Sequence, residues 1–239
     1  MSAIWSLLLI TGCGDKEDDT STAEADADTD ADTDADTDSD TDTDTDADAD
    51  ACTVWSGVVS EGTTWTYDFV GQVTGDSTVE VTAFDGSSLE FTSDSHSEVQ
   101  GSVTDSTSVL DYTCDGDGMW LLGIYTEYSG EAAGYPYSGW SEVVYDVPML
   151  VTPASLSVGD TWTAEGVGTI TTDTTPVQSF STTTAYEAVS EESVTVPAGT
   201  YTAIKLSGIT EGSPEAFSWT AEGVGTVKTD GTELTSYTP

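Results

Sequence analysis

The sequence predicts an all-β fold: a curved, mainly antiparallel sheet or open half-barrel that follows a disordered acidic N-terminal tether. Three observations predict it. Residues 51–239 are rich in Thr, Ser, Val, Gly, Tyr and Trp, and β-branched and aromatic side chains suit pleated, half-buried surfaces. Apolar residues recur there with period two, as at Val79, Val81 and Ala83 or at Ile204 and Leu206, and no long window carries them at i, i+3, i+4 and i+7. Breaks such as Asp85-Gly86, Asp115-Gly116, Pro197-Ala198-Gly199 and Asp230-Gly231 separate the runs at spacings that suit short hairpin links.

Residues 1–12 read as a signal peptide. The apolar run Ile4 to Ile10 is shorter than the roughly 20 residues a spanning helix needs and matches the hydrophobic region of a signal of about 7–15 residues. The segment Ile10-Thr11-Gly12-Cys13 resembles the lipoprotein box of bacterial lipoproteins, although Met1–Ala3 carries no Lys or Arg. That resemblance implies cleavage before Cys13 and acylation of its thiol, with palmitate-type chains as the membrane anchor. Gly14-Asp15-Lys16-Glu17-Asp18-Asp19 resembles the retention signal of surface lipoproteins. It implies an outer-membrane, surface-facing location.

Residues 13–50 then form the lipidated cysteine and an Asp-rich linker. Residues 15–50 hold 18 acids, one lysine and no aromatic or large aliphatic side chain, so they cannot bury enough apolar surface to offset chain entropy. Their carboxylates repel and extend the chain, to a reach of roughly 120–130 Å at full stretch. No Gly occurs in this tract, which argues against a looped calcium site. Loose attraction of divalent cations is the expectation instead, weak and sensitive to salt.

The formal net charge is −42, with three lysines and no arginine. Phosphate contacts need Lys or Arg, so nucleic-acid binding is excluded. Electrostatic attachment to an anionic membrane is excluded as well, which leaves the N-terminal lipid as the membrane contact.

Residues 51–239 form the β-rich domain, read as one sheet or as two related halves of about 55–150 and 154–239. Trp162-Thr163-Ala164-Glu165-Gly166-Val167-Gly168-Thr169 recurs as Trp219 to Thr226, 57 residues later, and Gly62-Thr63-Thr64-Trp65-Thr66 echoes Gly159 to Thr163. The expectation is a strand with an inward Trp and a Gly-x-Gly kink. Met119 to Tyr128 reads as a strand buried on both faces, and Tyr145 to Pro153 as the junction of the halves. Leu156 to Trp162, Val194 to Tyr201 and Trp219 to Lys228 resemble uncharacterised bacterial envelope β-domains that share a Val-Pro-Ala-Gly-Thr-aromatic hairpin and a Gly-Val-Gly strand end. That resemblance implies a half-barrel like the lipoprotein carriers of the periplasm and carries over no catalytic residue.

With Cys13 lipidated, Cys52 and Cys114 remain. Two cysteines in an exported chain read as one disulfide, closing about 60 residues for about 4 kcal/mol. No Cys-x-x-Cys occurs, and His96 is the single histidine, so no metal or cofactor is expected. A nucleophilic triad would have to use His96, which lies in the polar run Ser93 to Glu98. Asp115 and Asp117 read as a hairpin turn before a calcium site. Tyr125, Tyr128, Tyr135, Tyr137 and Trp140, set among Gly, Ser and Pro, are the candidate ligand-binding residues, since exposed Tyr and Trp favour interfaces. Their partner would be a protein or a glycan, and capping the core is the competing role. The expected function is a lipid-anchored envelope protein with a non-enzymatic binding or scaffolding domain. The alternatives are a periplasmic carrier of an apolar ligand and a hydrolase that uses paired carboxylates.

Overall fold

The computed structural model describes residues 52–54 and 57–239, with side chains from Val59 onward. The signal peptide, Cys13, the acidic tract and the Cys52 side chain lie outside the described residues.

A short hairpin comes first, β1 (Cys52–Val54) and β2 (Gly57–Val59). Twelve strands follow. They are β3 (Thr64–Phe69), β4 (Thr74–Phe84), β5 (Ser88–Val99), β6 (Ser102–Asp115), β7 (Gly118–Ala132) and β8 (Tyr135–Pro153). Then come β9 (Thr161–Thr172), β10 (Gln178–Val196), β11 (Gly199–Thr210), β12 (Ala216–Ala221), β13 (Gly225–Thr229) and β14 (Thr232–Thr238). Each pairs antiparallel with the next, and β14 pairs with β3, so the twelve strands close into a barrel. The all-β antiparallel class is as expected. The open half-barrel is not. The last strand sets Leu234 opposite Tyr67 and Tyr237 opposite Trp65, which removes both free edges of the sheet.

The period-two pattern becomes a two-faced sheet. On β4 to β9 the register aligns Val81, Phe91, Leu110, Ile124, Val143 and Ile170 across six strands, and Val81, Phe91 and Val143 are buried. Leu121, Val143 and Tyr145 form one core cluster. Trp65, Val81, Leu89, Phe91, Val227 and Leu234 belong to a larger one. On β11 both faces are buried at one level: Ala203 joins the larger cluster, while Ile204 packs with Ala188 and with Leu156 from the β8–β9 connection.

Two local expectations are corrected. The stretch Met119 to Tyr128 is not buried on both faces: Leu121, Gly123 and Thr126 are buried, but Tyr125 and Glu127 are exposed. A register shift between Leu121 and Gly123 places consecutive apolar residues without a second core. The stretch Tyr145 to Pro153 is not a junction, because it lies inside β8. The β7 ladder skips from Val144 to Met149, so Pro148 falls where no amide is needed from it.

The repeated octapeptide takes two conformations. In β9 it is continuous strand. A Cβ on Gly168 would stand 2.1 Å from the Val144 carbonyl oxygen, and one on Gly166 2.7 Å from the Tyr145 ring, so these glycines admit a close neighbour. In the second copy β12 ends at Ala221 and β13 begins at Gly225. There Gly223 (φ 76°) and Gly225 (φ 97°) are left-handed, a region open to glycine at little cost.

Candidate functional site

The β6–β7 and β7–β8 registers sort the predicted aromatic residues onto opposite faces. Tyr125 stands opposite Glu142, and Glu127 opposite Trp140, so these four share one face. Tyr128 stands opposite Gly139, and Tyr137 opposite Gly130, on the other. The Tyr125 and Trp140 rings stack with centroids 6.2 Å apart and planes 26° apart. Tyr125 is 38% exposed, and its hydroxyl donates to Glu127 Oε1 at 2.9 Å. The bond to Glu127 raises the Tyr125 hydroxyl above the usual phenol value, helped by partial desolvation and by the charges of Glu127 and Glu142.

Tyr128 and Tyr137 are framework residues. Their rings pack at 6.4 Å, each over a glycine whose Cβ would collide with it, at Gly139 and Gly130 respectively. The Tyr137 hydroxyl donates to the Val103 carbonyl at 3.1 Å and lies against Thr104 Oγ1. Tyr135, at the β7–β8 hairpin, is 77% exposed and joins neither ring pair. Of the five aromatic residues, two therefore form an outward platform.

Two grooves adjoin this platform, one at each ring. One, of about 610 Å³, is lined by the apolar Phe84, Leu89 and Ile124 and by Tyr125. Its carboxylates are Glu61, Asp85, Glu90, Asp111 and Glu142. Burial, and then the charge of Glu90 on the neighbouring strand, holds the Asp111 carboxyl above the usual range. The other groove, of about 770 Å³, is lined by Trp140 and carries Asp76, Asp94, Asp105, Glu127 and Asp173. His96 lies there too, its Nδ1 2.6 Å from Asp105 Oδ1, and Thr107 donates to Asp94 at 2.6 Å. Among the described residues no group of three His, Cys, Asp or Glu side chains is placed to hold a metal ion.

Asp115 belongs to the β6–β7 turn. Its Oδ1 accepts from the amides of Asp117 and Gly118 and from the Trp120 indole. The indole first, and the amides with it, hold its carboxyl below the usual range. Cys114, next to it, is disulfide-bonded, and β1, which carries Cys52, contacts β6.

The acids beside the aromatic pair were not singled out from the sequence. The signal was there: Tyr125-Thr126-Glu127 and Trp140-Ser141-Glu142 each place an aromatic ring and a carboxylate on the same face of a strand. No family model, curated protein or solved structure matches this chain.

Proposed function

We propose that the chain is a lipid-anchored envelope protein whose barrel is a non-enzymatic binding module, held clear of the membrane by its acidic tether. The observation that carries this reading is the Tyr125–Trp140 stack, Tyr125 exposed and Trp140 half-buried, with a groove adjoining each ring. Large rigid rings with polar tips gather binding energy at low entropic cost. The same face opposes insertion of the barrel in lipid. A spanning barrel presents an apolar band outward, whereas Asp94, Asp105, Glu127 and Glu142 are exposed here. The lipid on Cys13 remains the membrane contact, and the outer membrane the proposed location.

Two experiments test the reading. Mass spectrometry of the mature protein is expected to find diacylated or triacylated Cys13 at the N-terminus; an unmodified Cys13 thiol would end the anchor. Screening the mature protein against arrayed saccharides and peptides is expected to yield binding that Trp140→Ala removes. Binding indifferent to Trp140→Ala and Tyr125→Ala would end the assignment of this face.

A further inference from the structure

We infer that the Tyr125–Trp140 face takes arginine-rich segments of a protein partner, a guanidinium stacking on the ring pair and forking to Glu127 and Glu142. This rests on the binding reading above and names its ligand. The first argument is chemical fit. A guanidinium is planar, stacks on aromatic faces and donates two parallel hydrogen bonds to a carboxylate. The Tyr125 and Trp140 rings lie nearly parallel, with planes 26° apart, and the register places Glu127 opposite Trp140 and Glu142 opposite Tyr125, one carboxylate opposite each ring.

The second argument is a filled counterpart elsewhere in the barrel. On β12 the ring pair is Phe217 and Trp219, with centroids 6.5 Å and planes 47° apart. Lys205 Nζ sits 3.9 Å from the Phe217 centroid and 5.3 Å from that of Trp219, and the Trp219 indole donates to Glu192. Two rings, a carboxylate and a cation make the set. Tyr125, Trp140, Glu127 and Glu142 repeat it without a cation of this chain, since both lysines of the described residues stand near Trp219.

The third argument is charge. Five carboxylates line each adjoining groove, with His96 the one basic side chain between them. An extended cationic segment crossing the platform gains along its length, and an anionic or nucleic-acid partner is repelled. The occupant is not a second copy: this chain has no arginine, and its residues 51–239 hold 27 acids against two lysines.

The test uses the full mature chain in detergent at fixed ionic strength, so that the acidic tether is present in every arm. The probes are hexapeptides alternating Gly with Arg, Gly with Lys, or Gly with citrulline, read by calorimetry and by the NMR shift of the Trp140 indole. The Arg peptide is expected to bind about three- to fivefold more tightly than the Lys peptide of equal charge, and the citrulline peptide more weakly than both. Tyr125→Ser with Trp140→Ser is expected to erase the Arg preference while charge-driven binding to the tether persists. Glu127→Gln with Glu142→Gln, which keeps both rings, is expected to shrink it. Equal Arg and Lys affinity, or a preference that survives loss of both rings, overturns the inference. A neutral saccharide whose binding depends on Trp140, with no Arg preference, overturns it too but leaves the binding face standing.

Discussion

Trp65 donates its indole N–H to the carbonyl of Val224 at 2.6 Å, across 159 residues of sequence. The bond ties β3 to the turn between β12 and β13, beside the seam. The ring also packs against Phe91 and Tyr237. Trp65→Phe keeps an aromatic ring and leaves the Val224 carbonyl without this donor, at an expected cost of about 1–3 kcal/mol. Trp65→Ala also opens a cavity and is expected to cost about 3–5 kcal/mol. Denaturant unfolding of the two variants would separate bond from packing; a Trp65→Phe variant as stable as wild type would show that the hydrogen bond adds nothing.

Glycines at different positions in the two copies of the octapeptide are expected to resist alanine for different reasons. Gly168→Ala drives a methyl into the Val144 carbonyl and is expected to cost about 2–3 kcal/mol by forcing β8 from β9. Gly223→Ala has no heavy atom within 4 Å of the new methyl and pays only for its φ of 76°, about 1–2 kcal/mol. Gly223→Asn, at ease in that region, should be milder still. Thermal melts of the three variants check the order, and a Gly168→Ala variant as stable as wild type would refute the close approach.

His96 titrates above its ordinary value because it bonds Asp105, with added attraction from Asp105, Asp76 and Glu98. Asp105→Asn is expected to return it toward about 6.5, read by the imidazole NMR shift. The pair's contribution to stability is present below that unfolded value. It is lost as pH rises through the folded one, where the ring gives up its proton. Both side chains are largely exposed, so added salt should shrink the shift.

Cys114 is disulfide-bonded, and Cys52 is its expected partner. Non-reducing peptide mapping should recover a Cys52–Cys114 linked pair, and Cys114→Ser should cost about 2–5 kcal/mol. A link from Cys114 to Cys13 would instead consume the thiol on which the proposed lipid anchor depends.

The all-β class was legible because alternation such as Val79, Val81 and Ala83 is a local property that survives in the barrel. Hairpin turns at Asp85-Gly86 and Pro197 to Gly199 were legible for the same reason. Closure was not. It depends on Leu234 meeting Tyr67, and period two is silent about which strands meet. The aromatic cluster was half legible. Composition marked all five residues, but the parity that sends Tyr125 and Trp140 outward and Tyr128 and Tyr137 inward emerges only with strand register. The octapeptide shows the limit most plainly, since identical residues serve as strand in one place and as strand, turn and strand in the other.

The seam between β3 and β14 also sets an order of events. A chain synthesised from its N-terminus delivers β3 well before the partner it must meet, and contacts so distant in sequence form slowly. Through that interval the nascent sheet has two raw borders, the kind that adhere to neighbouring chains. A surplus of carboxylates keeps such unfinished molecules apart. Refolding yield should therefore drop as salt masks that repulsion, a liability for the incomplete barrel from which the sealed one is spared.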